Sequence, residues 1–198
     1  MGQFSAPADG VKHGLFHFVM RLMTVDEFLD WMDGREGRWE LFEGEVVEKR
    51  PERPAHTDTK REAASALKSA IRNVGVPCHV TKDGAIVRIS PLTAFEPDGV
   101  VYCSPRLPRE EVEIPEPVVV VEVLSDGTAE RDQGPKLAGY FSVPSVMHYL
   151  ILDPERRTAT HHWRGEGGRI EKRIVTDGPV RLDPPGLAFF VEELFAPG

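Results

Sequence analysis

Two acids and a lysine stand at spacings that would build a site for a metal ion and a phosphate. Asp98 precedes a strand-like run at 99–102, and Glu122 closes the unbroken run of four valines at 118–121. Lys136 follows inside a predicted helix. If the two strands pair, the acids lie side by side, and a helix that returns across the sheet brings the lysine to them.

The chemistry of this set is that of phosphodiester hydrolysis. Two ionised carboxylates about 4 Å apart repel by several kcal/mol at intermediate dielectric, so a proton or a cation between them is expected. Mg²⁺ (or Mn²⁺) takes oxygen ligands and joins one or two carboxylates to a substrate phosphate, which makes Asp98 and Glu122 the predicted metal ligands. Lys136 would orient the attacking water or stabilise charge on the phosphate. Glu40 is a candidate third acid, and His56 a candidate proton donor or phosphate contact.

Each of these residues also has an ordinary structural interpretation. Asp98 follows a proline and suits a turn, Lys136 suits a solvated helix face, and Glu40 is one of several acids in its segment. Glu122 is harder to explain in this way, because a carboxylate at the edge of a dry valine run needs a partner. His161 and His162 are adjacent on a predicted strand and point to opposite faces, which argues against a shared metal site.

The elements that must position these residues can be outlined from local signals. Thr24 and Glu27 form the capping box of a first helix that ends at Gly34. The segment 38–50 predicts a hairpin around a turn at Glu43-Gly44. Pro51 to Pro54 breaks the pattern, and the strongest helix follows at 57–73, with an apolar stripe along one side and Gly75 at its end.

The second half alternates between strands and one helix. Strands are predicted at 78–82 and 85–89 around an Asp83-Gly84 turn, at 98–102, at 118–124, at 148–152, and as a solvent-facing hairpin at 158–164 and 169–175. Asp132 is the predicted cap of the helix that carries Lys136. The segment 187–195 predicts a last strand or a short helix. This order predicts an α/β or α+β fold, with a mixed central β-sheet flanked by helices and an added C-terminal β-hairpin.

Length and composition narrow the class of protein. The 198 residues suit one domain, which we place at 23–198 behind a flexible leader at 1–22. No apolar run approaches the roughly 20 residues that span a bilayer. Cys78 and Cys103 form no CxxC pair and predict no disulfide framework, so a cytoplasmic location is expected. A net charge of −8 and the lack of a long basic run require any contact with nucleic acid to be local or metal-assisted.

Five ordered segments together resemble the Uma2 family of bacterial proteins, which has the PD-(D/E)XK, or restriction-endonuclease-like, fold. They are WELFEGE at 39–45, PDGVV at 97–101, VEVLS at 121–125, the positions Asp132, Lys136 and Tyr140, and YLILDP at 149–154. The resemblance implies a nuclease core in which Asp98 and Glu122 bind the metal. It also implies that Lys136 replaces the lysine of the parent motif, whose position is Leu124 here. Glu40 matches the first acidic position of the family, and His56 its histidine.

Two functions of different classes follow as hypotheses. The first is a Mg²⁺-dependent endonuclease or phosphodiesterase that acts on DNA, in which Glu40 assists Asp98, Glu122 and Lys136. The second is a non-catalytic interaction protein that keeps the nuclease scaffold. A hydrolase of small nucleotides is disfavoured, because the glycine-rich stretch at 165–168 lacks a P-loop lysine. A homodimer is a further expectation, and contact with a membrane is not expected.

Overall fold

The computed structural model describes residues 21–125 and 134–195. In chain order these contain α1 (Val25–Met32), β1 (Trp39–Phe42), β2 (Glu45–Glu48), α2 (Pro54–Val74), β3 (His79–Thr81), β4 (Val87–Ser90), β5 (Thr93–Phe95), β6 (Gly99–Tyr102), β7 (Pro117–Val123), α3 (Pro135–Ser142), β8 (His148–Asp153), β9 (Thr158–Arg164), β10 (Ile170–Val175), β11 (Pro179–Leu182) and β12 (Leu187–Phe190). The predicted α+β fold with a mixed sheet is confirmed.

A six-stranded sheet forms the centre of the fold, in the order β10-β9-β8-β7-β6-β3. Strands β7 and β8 are parallel, whereas the other neighbours are antiparallel. Val119 and Val121 face one apolar cluster with residues of α2, and Val120 faces a second cluster with Tyr140 of α3. The valine run of β7 is therefore covered on both faces, as its composition predicted.

The first helix and the first hairpin form as predicted. Thr24 caps α1, and Glu27 completes the capping box by accepting the Thr24 backbone N–H at 2.9 Å. Strands β1 and β2 pair around Glu43 and Gly44, both of which have positive φ. These strands belong to a second sheet, of order β2-β1-β5-β4, which holds Glu40 beside the central sheet.

Two local predictions are wrong. Strands β3 and β4 do not pair across Asp83-Gly84, because β3 joins β6 in the central sheet and β4 joins β5 in the second sheet. The long helix begins at Pro54 rather than at 57, with Pro54 in the first turn. A proline is tolerated there because its missing N–H would have no helical partner. His56 therefore lies inside α2 and not before it.

The end of the chain completes the central sheet and adds a small one. Strands β9 and β10 pair as predicted and extend the sheet from β8. Strands β11 and β12 form a separate pair, and the predicted segment 187–195 is a strand followed by a 3-10 turn. The predicted leader falls largely on residues 1–20, and the Asp132 cap also lies outside the described residues. The first described position of α3 is Pro135, with Gly134 at its cap.

The cysteine prediction is corrected by the structure. Cys78, just before β3, and Cys103, just after β6, form a disulfide. The sequence separates them by 25 positions, and only the pairing of β3 with β6 brings them together. Among the described residues, no helix combines the length and the apolar character needed to cross a membrane.

Candidate active site

The two acids of the predicted site occupy neighbouring strands of the central sheet. In the antiparallel pair of β6 and β7, Gly99 lies opposite Val121. One step further along the same register, Asp98 lies opposite Glu122. Directly opposed residues of antiparallel strands have neighbouring Cβ atoms on the same face of the sheet. The sheet thus supplies the side-by-side placement of the two backbones that the sequence predicted.

Glu122 lies in a buried cluster with a second acid, a lysine and a tyrosine. Lys136 Nζ is 2.8 Å from Glu122 Oε1 and 2.8 Å from Glu40 Oε1. Tyr140 donates its hydroxyl to the same Glu122 oxygen at 2.8 Å. Each of the four residues is at most 3% exposed. The sequence analysis named Glu40, Glu122 and Lys136 as candidate site residues, and in the structure Lys136 contacts both acids.

The helical spacing of two α3 residues explains why both contact Glu122. Lys136 and Tyr140 are four residues apart, so they share one face of the helix, and that face lies over Glu122. Burial raises the pKa of the Tyr140 phenol well above its ordinary value, and the negative charge of Glu122 raises it further. Tyr140 is therefore a neutral hydrogen-bond donor at physiological pH, and it fixes the orientation of the carboxylate.

Asp98 has a different set of partners, which meet at the last peptide of β7. The backbone N–H of Val123 donates to Asp98 Oδ2 at 2.8 Å, and His56 Nε2 lies 2.9 Å from the Val123 carbonyl oxygen. If the β6–β7 register is continued past Gly99 and Val121, Pro97 falls opposite Val123, and a proline has no N–H to donate. His56 therefore supplies the donor that the neighbouring strand lacks. A buried carbonyl left without a donor would cost about 1–3 kcal/mol.

Asp98 is ionised in the folded protein. Burial alone would raise the pKa of its carboxyl group, but the hydrogen bond from His56 and the charges of Lys49 and Lys60 outweigh burial. The pKa consequently lies well below its ordinary value of 3.8. A carboxylate must be deprotonated to bind a metal ion, and Asp98 meets this condition at neutral pH.

Glu52, His56 and Asp98 form a candidate cation site. Each offers one ligand atom, and these atoms lie within 4.8 Å of one another. His56 Nδ1 is buried, has no hydrogen-bond partner among residues 21–125 and 134–195, and lies 3.3 Å from Glu52 Oε2. Because Nε2 carries the proton toward Val123, a neutral imidazole directs its Nδ1 lone pair at that carboxylate. A cation or a further proton would relieve this contact, so the donor set fits a divalent cation.

Positive side chains also lie against these carboxylates. Lys60 Nζ is 2.9 Å from Glu52 Oε1 and 3.4 Å from Asp98 Oδ1, and its side chain is buried. Lys49 Nζ and Arg38 Nη2 each lie 3.5 Å from Asp98 Oδ1. A divalent cation at Asp98 would share this carboxylate with three basic side chains, whose repulsion would lower its affinity.

The predicted residues thus fall into two neighbouring groups. Glu40, Glu122 and Lys136 form one, and Asp98 and His56 form the other, with the β7 terminus between them. The role of each in metal binding or catalysis stays a prediction.

Sequence reasoning missed several basic and acidic members of the second group. His56 and Lys60 are four residues apart on α2, which would have revealed a shared helix face if the helix had been predicted to start at Pro54. Glu52 lies just before the helix. Arg38, Lys49 and Glu96 carry no such signal, since long-range pairing alone brings them to Asp98. Arg38 Nε donates to Glu96 Oε1 at 2.8 Å, and Lys49 Nζ donates to the Glu96 carbonyl at 2.6 Å.

The chain is similar to a protein family, to an uncharacterised protein and to a solved structure. A family described as "Uma2: Putative restriction endonuclease" matches residues 25–192. The uncharacterised protein slr1290 of a Synechocystis strain is 22% identical over 175 residues, which cover 87% of this chain and 91% of that protein. A crystal structure titled as a putative nuclease belonging to DUF820, from Anabaena variabilis, superposes with a TM-score of 0.70 at 20% identity. The alignment covers 87% of this chain and 97% of that structure, so the two share a fold.

Proposed function

The chain belongs to the Uma2 family, whose description is "Putative restriction endonuclease", and we propose that it is a divalent-metal-dependent nuclease that hydrolyses phosphodiester bonds in DNA. The observation that carries the proposal is the placement of Asp98, just before β6, beside Glu122 of the neighbouring strand β7, with Lys136 in contact with Glu122. An ionised acid, a second acid and an amine from the next helix are the groups that this chemistry needs.

Metal binding is assigned to the acids around Asp98. Glu52, His56 and Asp98 offer oxygen, nitrogen and oxygen ligands within one coordination shell, and Glu122 stands on the adjacent strand. Mg²⁺ or Mn²⁺ bound there would lower the pKa of a coordinated water and neutralise charge on the phosphate. The low pKa of Asp98 keeps its carboxylate available as a ligand over the whole physiological pH range.

The remaining residues hold and orient the reacting groups. Lys136 offers a positive charge beside Glu122, where an ammonium group orients the attacking water and stabilises charge on the phosphate. Tyr140 fixes the Glu122 carboxylate by its hydroxyl, and Glu40 holds Lys136 from the second sheet. His56 holds the β7 terminus and presents Nδ1 toward Glu52.

Plasmid cleavage tests this proposal directly. Supercoiled DNA is incubated with Mg²⁺ or Mn²⁺ and with the wild type, Glu122→Gln or Lys136→Gln. Lys172→Gln is the matched control, since Lys172 is exposed on β10, far along the sheet order from β7. We expect both site variants to cut at least about 100-fold more slowly, the size of effect that removal of one electrostatic catalytic group has elsewhere. Unchanged cutting by both folded site variants would reject the nuclease assignment.

One observation favours the second hypothesis, a non-catalytic interaction protein on the same scaffold. Lys60 lies between Glu52 and Asp98, at 2.9 and 3.4 Å from their oxygens, which is where a cation would otherwise compensate their charges. If Lys60 neutralises these carboxylates and no metal ion displaces it, calorimetric titration with Mg²⁺ or Mn²⁺ will show no binding, and Asp98→Asn will change only stability. Binding that Asp98→Asn abolishes would favour the nuclease. The homodimer and the cytoplasmic location stay predictions from sequence.

A further inference from the structure

A cleft of about 650 Å³ lies at the edge of the central sheet, away from the candidate active site. Its walls are the last turns of α2, the edge strand β3 and the segment that follows β6. The polar and charged side chains that matter here are Lys68, Arg72, His79, Arg106, Arg109 and Glu111. Four of these are permanently positive and one is negative, whereas the whole chain carries a net charge of −8.

The four basic side chains of the cleft are exposed to solvent and can contact a ligand. Lys68, Arg72, Arg106 and Arg109 are all exposed. Arg72 donates to Ser69 Oγ at 3.0 Å, and within the described part of the chain none of the four forms an ion pair with a carboxylate. Cations gathered in a concave surface raise the local concentration of anions and their rate of arrival. A polyanion is therefore the ligand that this surface favours.

The walls of the cleft are fixed. The Cys78–Cys103 disulfide ties the start of β3 to the end of β6. At the other end of the segment that carries Arg106 and Arg109, Ile114 N donates to Ile86 O at 2.8 Å. The loop is thus anchored at both ends, which reduces the ordering entropy that binding would otherwise cost.

The aromatic groups of the cleft are not positioned to read bases. Tyr102 is only 6% exposed, and its ring contacts His79 with centroids 5.2 Å apart. Proteins that stack bases present open aromatic faces, which this ring does not. Recognition by charge alone implies contact with phosphates and little dependence on base sequence.

We propose that this basic cleft binds the phosphate backbone of DNA at a distance from the scissile bond. The inference rests on the proposed nuclease function, because the position of the cleft is what connects it with the acids. Asp98 precedes β6 and Tyr102 ends it, so the strand separates the two sites by about 13 Å. That is roughly four nucleotide steps of 3.4 Å, so one DNA strand held in the cleft is long enough to extend to the end of β6 beside Asp98.

Fluorescence anisotropy with a labelled DNA duplex of about 20 base pairs tests the cleft, in EDTA so that metal-dependent cleavage does not run. The cleft variant is Arg106→Gln with Arg109→Gln. The matched control is Arg169→Gln with Lys172→Gln, which removes the same charge from exposed residues at the opposite edge of the sheet.

Each lost phosphate contact lowers the slope of log K against log salt by about 0.9. The cleft variant lacks two such contacts, so the magnitude of its slope is expected to fall by about 1.8. If the two proteins bind equally at 1 M salt, this lowers the affinity of the variant roughly 60-fold at 0.1 M salt. The control is expected to keep the wild-type affinity.

Three results would overturn the inference: equal affinity of the cleft variant and the control, no DNA binding by the wild type, or competition by polyglutamate as strong as that of unlabelled DNA. The third would mean that the cleft takes acidic protein segments. The outcome is separable from that of the nuclease proposal. If the wild type binds DNA through the cleft and cuts none in Mg²⁺, the inference stands and the nuclease function fails. If the wild type cuts DNA in Mg²⁺ while the cleft variant binds DNA as tightly as the control, the nuclease function stands and the inference fails.

Discussion

Acid should destabilise the fold through a buried histidine pair that lies outside the candidate active site. His148 Nδ1 and His161 Nε2 are 3.0 Å apart, and His148 Nε2 lies 2.9 Å from the Pro184 carbonyl oxygen. A carbonyl only accepts, so His148 carries its proton on Nε2 and accepts at Nδ1 the proton of His161 Nε2. This arrangement requires His148 to be neutral, because a second proton on it would leave no acceptor for His161.

The pKa of His161 gives the size of the effect. Burial is the main cause that lowers this pKa, and the neighbouring His148 and the cross-strand Arg173 act in the same direction, so that together they bring it from 6.5 to about 3. The unfolded chain therefore binds a proton near pH 6.5 that the folded protein does not bind until about pH 3. Stability falls as the pH drops through this window. Between pH 7.5 and pH 5, His161 alone should cost about 2 kcal/mol.

The measurement is urea unfolding of the wild type and of His161→Gln at pH 7.5 and pH 5. Glutamine keeps an N–H donor for His148 but does not titrate, so the variant should lose about 2 kcal/mol less than the wild type over this interval. The pKa values of His148 and His162 are also lowered, chiefly by burial, so the variant should retain part of the acid sensitivity. NMR titration of the folded wild type should show no protonation of the His161 ring above about pH 4. The same pH dependence in both proteins, or a ring that titrates near pH 6, would refute the reasoning.

Three further predictions concern individual contacts. Tyr140→Phe removes the hydroxyl that donates to buried Glu122 at 2.8 Å, and should lower the free energy of unfolding at pH 7 by about 2 kcal/mol; no change would mean that the bond is unimportant. Thr24→Ala removes the N-cap side chain of α1 and should cost about 1 kcal/mol, seen as a fall in Tm of about 2–4 °C, whereas an unchanged Tm would contradict it. Reduction of the Cys78–Cys103 disulfide frees a sequence separation of 25 and should cost about 3 kcal/mol; dithiothreitol should have no such effect on Cys78→Ser with Cys103→Ser.

Local signals predicted those parts of the fold in which the local preference and the tertiary structure agree. The α1 capping box, the β1–β2 turn and the valine strand β7 each formed where the residue pattern placed them. The Asp83-Gly84 turn also formed with positive φ at both residues. It nevertheless joins strands of different sheets, because a turn signal fixes the local bend and not the partner of each strand. The β3 strand pairs instead with β6 and becomes the edge of the central sheet.

Contacts between candidate site residues were predictable where the residues lie about one helical turn apart in the sequence. Lys136 and Tyr140 share a helix face, and both bind Glu122 as that spacing implies. The ring of cations around Asp98 was not predictable, because Arg38, Lys49 and Lys60 come from three separate segments. Their positions depend on how the second sheet and α2 pack against the start of β6. No pattern within a window of 10 or 20 residues carries that information.

The two interpretations of Asp98, a turn residue or a metal ligand, are compatible in this structure. Its Oδ2 atom accepts the Val123 N–H and so completes a strand edge that Pro97 interrupts. Its Oδ1 atom faces Lys49, Lys60 and Arg38 at 3.4–3.5 Å. One oxygen therefore carries a structural role, while the other lies in an electrostatic environment that keeps the group ionised. Asparagine can still accept through its single carbonyl oxygen but loses the charge, so substitution by asparagine separates the two roles, which substitution by alanine cannot do.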